Sequence, residues 1–149
     1  MKISEYRKHT LRTLPDLGSR MHDSLHMTIG IMTEIAEIEQ AMSVGEEVDL
    51  VNLAEEWADI KWYLSNYANI HKIEYILVDV DEYNRYEIVE SAWSNIIIFA
   101  GELLDLDKKL FAYGKPVDSV KRNELFIKLN TALEVFADMF EINKEDALD

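Results

Sequence analysis

The 149-residue sequence contains no cysteine, only two prolines and only five glycines. The absence of cysteine excludes disulfides, thiolate nucleophiles and zinc sites built on cysteine. Because helix breakers are scarce, the composition favours long helices over many short strands. No run approaches the roughly 20 apolar residues of a membrane span, and the opening MKISEYRKHT lacks the apolar stretch of a signal peptide. We therefore expect a cytoplasmic protein without a membrane partner.

The sequence also contains few positively charged residues. There are 15 Lys and Arg residues against 29 Asp and Glu residues, which gives a formal net charge of -14. Since nucleic-acid binding depends on basic clusters, we do not expect a nucleic acid as the partner. The acids are concentrated in residues 34–59, which contain no Lys or Arg, whereas residues 1–20 are rich in bases. The acidic segment is expected to attract cations, and the basic segment anions.

The pattern of apolar residues predicts an all-α fold. Residues of the hydrophobic class make up 48% of the chain, which is enough for the core of a single domain covering residues 1–149. The apolar periodicity predicts helices at 20–42, 50–70, 84–112 and 120–141, after an N-terminal arm. The stretch IEYILVDVDEYN (73–84) is interpreted as a linker with some helix, and whether it forms a lid is left open. We expect a four-helix bundle core.

The first two predicted helices share one plan, an apolar stripe flanked by two carboxylates three residues apart. The stripes are Ile31, Ile35, Ile38 and Met42, followed by Leu53, Trp57, Ile60 and Leu64. The flanking acids are Glu34 with Glu37 and Glu56 with Asp59. If the helices pack antiparallel through their stripes, both acid pairs turn toward a common space. An isolated E-x-x-E is typical of a solvated helix face, but two matched pairs favour a site.

The same plan returns in the second half of the chain. The third helix repeats the stripe with Phe99, Leu103, Leu106 and Leu110, and the fourth has Leu125, Leu129, Ala132 and Phe136. Glu102 and Asp105 flank the third stripe, whereas Lys128 and Thr131 stand where the fourth would carry its acids. We interpret residues 20–70 and 84–141 as two tandem helix pairs, of which the second is degenerate.

Four converging carboxylates indicate a divalent cation. Without a counter-charge they repel one another, and one or more would take up a proton. Oxygen ligands of this kind suit Mg²⁺ or Mn²⁺, whose coordination is commonly completed by substrate phosphates. A metal held in this way can activate water and neutralise charge on a phosphoanhydride. The residues therefore favour phosphate chemistry.

The two acid motifs also resemble those of a known family. The E-x-x-E at Glu34 and Glu37, its lead-in LHMTIGIMTEIAE, and the E-x-x-D within EEWADIKWYL resemble the all-α nucleoside triphosphate pyrophosphohydrolases, the MazG-like and dimeric dUTPase-like group. The resemblance covers about residues 20–70, and GELLDLDKKLFAYGKP resembles the first motif helix and turn of that group.

This resemblance implies hydrolysis of a nucleoside triphosphate to its monophosphate and pyrophosphate. It implies Mg²⁺ held by Glu34, Glu37, Glu56 and Asp59, with one of these residues or Glu55 acting on the attacking water. In the family the site forms where helix pairs meet, and a tandem chain would supply both pairs itself. Because the acids of the fourth helix are replaced, one site per chain is expected.

The sequence also offers candidates for contacts with the substrate. Lys128 and Lys109 are candidates for phosphate contacts, and Trp62, Asn95 and His26 are candidates for contacts with the nucleobase. For each of these residues, packing or surface solvation is the simpler alternative.

Two interpretations without catalysis stay open. An acidic helical protein binding a basic partner or mimicking DNA would fit the net charge, and a nucleotide sensor would bind without turnover. The identity of the nucleotide, the general base and the oligomeric state are not determined by the sequence, and its apolar content is compatible with a homodimer.

Overall fold

All regular structure in the described part of the chain is helical. The computed structural model describes residues 3–43, 45, 47–74 and 82–148. The helices are α1 (Ile3–Thr13), α2 (Arg20–Ser43), α3 (Leu50–His71), α4 (Glu82–Tyr113), α5 (Ser119–Met139) and α6 (Lys144–Ala147). The prediction of an all-α fold is confirmed, and α2 to α5 lie close to the predicted bounds. Within the described residues, no helix is both long enough and apolar enough to cross a bilayer.

Helices α2 to α5 form a four-helix bundle. The most extensive packing joins α2 to α3, which we call the first helix pair, and α4 to α5, the second helix pair. Further contacts of α2 with α4 and of α3 with α5 close the ring. The partners within each pair run antiparallel. Ser24 near the start of α2 contacts His71 at the end of α3, and Trp93 in the first half of α4 contacts Phe136 near the end of α5.

The predicted apolar stripes form most of the core. The buried members are Ile31, Ile35, Ile38, Leu53, Trp57, Ile60, Leu64, Leu103, Leu125, Leu129, Ala132 and Phe136. Met42, Phe99 and Leu106 are only partly buried at its edge. The indole N–H of Trp57 donates to the carbonyl of Leu133 at 3.0 Å, which ties α3 to α5.

The turns within the two helix pairs are built alike. Gly45 and Gly114 both adopt the left-handed backbone region, with φ of 66° and 64°, where L side chains are strained. Asp49 and Asp118 then cap α3 and α5 by accepting hydrogen bonds from backbone N–H groups of the first turn. This shared construction supports the interpretation of a tandem helix pair.

The predicted N-terminal arm is itself a helix. Helix α1 packs across α3, where the Tyr6 hydroxyl donates to the Ala58 carbonyl at 3.4 Å and Arg7 Nε donates to Asn69 Oδ1 at 3.0 Å. The Thr10 and Ser65 hydroxyls are 3.4 Å apart. Because its contacts with α3 are mostly polar, apolar periodicity does not reveal this helix. Of the linker predicted at 73–84, residues 75–81 lie outside the described residues, and α4 begins at Glu82.

Candidate functional site

Three of the four predicted carboxylates converge between α2 and α3. Glu34, Glu56 and Asp59 each offer an oxygen, and these oxygens all lie within 4.8 Å of one another. The three-residue spacing puts Glu56 and Asp59 on one side of α3, and antiparallel packing places Glu34 of α2 opposite them. The spacing in the sequence therefore leads directly to the geometry of this site.

Glu37 lies one turn further along α2 and belongs to the same electrostatic unit. It is not one of the three residues whose oxygens meet, and its side chain is exposed. It is nevertheless close enough to hydrogen-bond with Glu56, and its charge acts on Glu34 and Asp59. We call Glu34, Glu37, Glu56 and Asp59 together the carboxylate cluster.

Proton affinity in the carboxylate cluster is high. Burial, a hydrogen bond with Glu56 and the charges of Glu37 and Asp59 raise the pKa of Glu34 to about 8. Burial is also the largest cause of the raised pKa values of Glu56 and Asp59, and neighbouring acids raise both further. At neutral pH the cluster therefore favours a bound proton or a bound cation.

The cluster fits a hard divalent cation. Oxygen Oε2 of Glu34 is buried and has no hydrogen-bond partner in the described part of the chain. Nor does any of the four carboxylates form an ion pair with a Lys or Arg side chain among those residues. Such a set of unpaired oxygen ligands suits Mg²⁺ or Mn²⁺, and binding of either would release protons.

Tyr63, an aromatic residue beside the cluster, was not among the residues predicted from the sequence. The Tyr63 ring lies directly on the backbone of Gly30, so that a Cβ at Gly30 would overlap it. Burial raises the pKa of the Tyr63 phenol, and the charges of Glu34, Asp59 and Glu37 raise it further. The spacing in the sequence could have predicted that Tyr63 lies beside the cluster. Gly30 lies four residues before Glu34 and Tyr63 four residues after Asp59, so each lies on the same helix face as a cluster carboxylate.

Two of the predicted substrate contacts pack against Tyr63. The Trp62 ring meets Tyr63 edge-on with centroids 5.0 Å apart, and the His26 ring meets it edge-on at 5.9 Å. Trp62 Nε1 donates to Thr13 Oγ1 at 3.1 Å, whereas His26 Nδ1 is buried without a partner in the described part of the structure. Trp62 and His26 thus contact Tyr63, the ring whose pKa the charges of the carboxylates raise. We call Trp62, Tyr63 and His26 the aromatic wall.

The other three predicted contacts lie on the second helix pair. Lys109 Nζ pairs with Asp105 at 2.7 Å, and Lys128 Nζ lies over the Phe99 ring, 5.9 Å from its centroid. Asn95 Nδ2 donates to Ser91 Oγ at 3.0 Å within α4. The structure does not bring these side chains into contact with the carboxylate cluster.

A second polar cluster joins the two helix pairs at one end of the bundle. Asp107 is 3% exposed and accepts hydrogen bonds from Ser24 at 3.0 Å and from Thr28 at 2.8 Å. Arg20 lies 3.3 Å from His71 Nδ1, and His71 Nε2 lies 2.7 Å from Ser24 Oγ. Because Arg20 can only donate, His71 carries its proton on Nε2. Ser24, Thr28 and Asp107 are buried and bonded to one another, which indicates a structural role for this contact between the helix pairs.

Comparison with protein-family models, curated proteins and solved structures finds no match to this chain. The carboxylate cluster, the aromatic wall and the motifs of the sequence therefore carry the functional interpretation.

Proposed function

We propose that this chain is a cytoplasmic, Mg²⁺-dependent nucleotide pyrophosphohydrolase that cleaves a ribo- or deoxynucleoside triphosphate to its monophosphate and pyrophosphate. The observation that carries the proposal is the convergence of Glu34, Glu56 and Asp59 within 4.8 Å without a basic partner among the described residues. The resemblance of the E-x-x-E and E-x-x-D motifs to the all-α pyrophosphohydrolases supports the same reaction, and membership of that group is part of the proposal.

Glu34, Glu56 and Asp59 are the residues that would hold the cation, because each offers an oxygen within 4.8 Å of the other two. When bound, Mg²⁺ or Mn²⁺ supplies positive charge for the phosphate oxygens and lowers the pKa of water. We assign to Glu37 the acceptance of the proton from the attacking water. It is the remaining carboxylate, lies beside Glu56 and is exposed to solvent, to which it can release that proton.

The aromatic wall is the proposed place for the nucleoside. Tyr63 lies within range of the charges of the carboxylates, and the rings of Trp62 and His26 meet it edge-on. These rings can contact a base by stacking or at its edge. The raised pKa of Tyr63 keeps its phenol protonated, so this hydroxyl can donate a hydrogen bond where the carboxylates can only accept. The buried Nδ1 of His26 offers a further polar contact.

A product analysis tests the proposal. The purified protein is incubated with a panel of ribo- and deoxynucleoside triphosphates in Mg²⁺, in Mn²⁺ or in EDTA, and the products are separated by chromatography. We expect monophosphate and pyrophosphate only with metal, and no turnover by Glu37→Ala. Metal-dependent nucleotide binding without turnover would instead indicate a nucleotide sensor. If the protein neither binds nor hydrolyses any of the nucleotides, the result would favour an acidic protein that binds a basic partner.

A further inference from the structure

An apolar groove with an acidic rim lies between the first turns of α3 and helix α6. Leu50, Val51 and Ala54 line it from α3, and the groove has a volume of about 390 Å³. Val51 is 73% exposed and Leu50 is 56% exposed. Adjacent exposed aliphatic side chains at a groove are typical of a contact surface.

The rim of this groove carries uncompensated negative charge. Glu55 and Asp146 lie on opposite sides of the groove, and neither pairs with a Lys or Arg side chain in the described part of the chain. Among the described residues, the hydrogen bond to the Asp146 carboxylate comes from the neutral Asn143 side chain, at 2.8 Å. An occupant that matches this groove has an apolar centre flanked by positive charges.

The same chain carries a surface of that kind on α1. Lys8, Leu11 and Arg12 follow one another at helical spacing and are all exposed, with Leu11 at 50%. They face away from α3, because the opposite side of α1 is held there by Tyr6 and Thr10. We call these three residues the basic face of α1.

We propose that the basic face of α1 docks into the groove of a second copy of this chain, and that the same contact forms reciprocally in a two-fold dimer. Leu11 fills the apolar groove against Val51 of the partner subunit, while Lys8 and Arg12 meet the acidic rim. Each chain carries both the basic face of α1 and the groove. A dimer with a single two-fold axis therefore forms this contact twice and leaves neither surface of either chain uncovered.

The position of α1 in its own chain fits this arrangement. Tyr6 contacts the carbonyl of Ala58, one helical turn beyond Ala54 of the groove. The other contacts of α1 lie further along the chain, from Trp62 with Thr13 to Ile73 with Arg7, so α1 leaves the first turns of α3 uncovered. The apolar surface of α3 that α1 leaves uncovered is thus covered by the second copy.

The test measures mass and not turnover, so its failure is distinct from failure of the proposed reaction. The full-length protein is examined by size-exclusion chromatography with light scattering over a range of concentrations, at low and high salt. We expect twice the 17.3 kDa mass of the chain. Leu11→Glu, Arg12→Glu and Glu55→Lys should each weaken dimerisation by about tenfold or more, while the double variant Arg12→Glu/Glu55→Lys should recover much of the loss.

Lys121→Glu provides the matched control, because Lys121 is exposed on α5 away from the groove, and it should leave the dimer unchanged. Circular dichroism confirms that each variant is folded. A monomer at all concentrations would overturn the proposal. So would a dimer that is insensitive to Leu11→Glu and to the charge exchange, since its interface would then lie elsewhere.

Discussion

The two helix pairs use the same spacing of apolar residues, yet their carboxylates have opposite electrostatic environments. In the first pair, burial and neighbouring acids raise the pKa of Glu34 to about 8. In the second pair, the corresponding Glu102 is exposed, and hydrogen bonds from Lys108 and Lys109 lower the pKa of Asp105 to about 2. The neighbouring charges therefore distinguish a candidate metal site from a solvated helix face, although both share one motif.

The largest expected difference between the pairs is catalytic. Glu34→Gln removes a proposed metal ligand with little change in shape and should lower turnover by about 100-fold or more. Glu102→Gln changes the corresponding residue of the second pair and should leave turnover within about twofold, because that side chain is exposed. Initial rates of pyrophosphate release measure both, and equal losses would remove the distinction between the pairs.

Asp107 of the second pair is hydrogen-bonded to the first pair, so a substitution there tests the contact between the two pairs. Asp107→Leu removes the buried acceptor shared by the hydroxyls of Ser24 and Thr28 and leaves Thr28 only its longer bonds to carbonyls of its own helix. We expect a loss of about 1–3 kcal/mol in the free energy of unfolding. Asp105→Leu, at an exposed salt bridge on the same helix, should cost much less, because solvent screens exposed ion pairs. Urea unfolding compares the two, and similar losses would contradict a structural role for the Asp107 network.

The two helical glycines test how closely each pair is packed. Gly30→Ala places a methyl group where the Tyr63 ring lies and should destabilise the fold by about 1–3 kcal/mol. Gly101→Ala, in α4, meets nothing within 4 Å and should stabilise the fold by about 0.5–1 kcal/mol through helix propensity. A stabilising Gly30→Ala would show that Tyr63 does not pack on α2 as described.

The smallest expected effect is that of the first pair on the pH dependence of protein stability in the absence of metal. Glu34 has a higher pKa in the folded than in the unfolded state, so it binds its proton more tightly when folded. Its stabilising contribution is complete below about pH 4.5 and is lost as the pH rises toward 8. Between pH 7 and 8.5 in EDTA, we expect the wild type to lose about 1 kcal/mol after allowing for solvent screening.

That pH window avoids the opposite effect of His71. Burial and the charges of Arg122 and Arg20 lower the pKa of His71 to about 3, so its contribution varies mainly below pH 6.5. Glu34→Gln, or excess Mg²⁺, should flatten the decline between pH 7 and 8.5. A wild-type protein whose stability does not fall over this range would contradict the raised proton affinity of Glu34.

The apolar stripes allowed the bundle to be predicted because they are repeated locally in the sequence. The convergence of Glu34, Glu56 and Asp59 followed from their spacing and from antiparallel packing. The ion pairs of Asp105 could also be predicted from the sequence, since Lys108 and Lys109 lie three and four residues after it. These features depend on residues near one another in the chain or on one periodic pattern.

Other features depend on tertiary contacts that no local pattern contains. The burial of Asp107 requires Ser24 and Thr28 from a distant helix, and its sequence neighbours give no sign of them. Helix α1 was missed because its polar contacts replace the expected apolar stripe. The approach of Tyr63 to Gly30 depends on the register of α2 against α3, which the separate helices do not fix.

Mn²⁺ binding tests the central claim most directly, namely that the carboxylate cluster of the first pair holds a divalent cation. Mn²⁺ is titrated into the full-length protein without nucleotide, and the free ion is followed by electron paramagnetic resonance. We predict saturable binding by the wild type and by Glu102→Gln, and its loss in Glu34→Gln. No binding by the wild type, or equal binding by Glu34→Gln, would contradict this account.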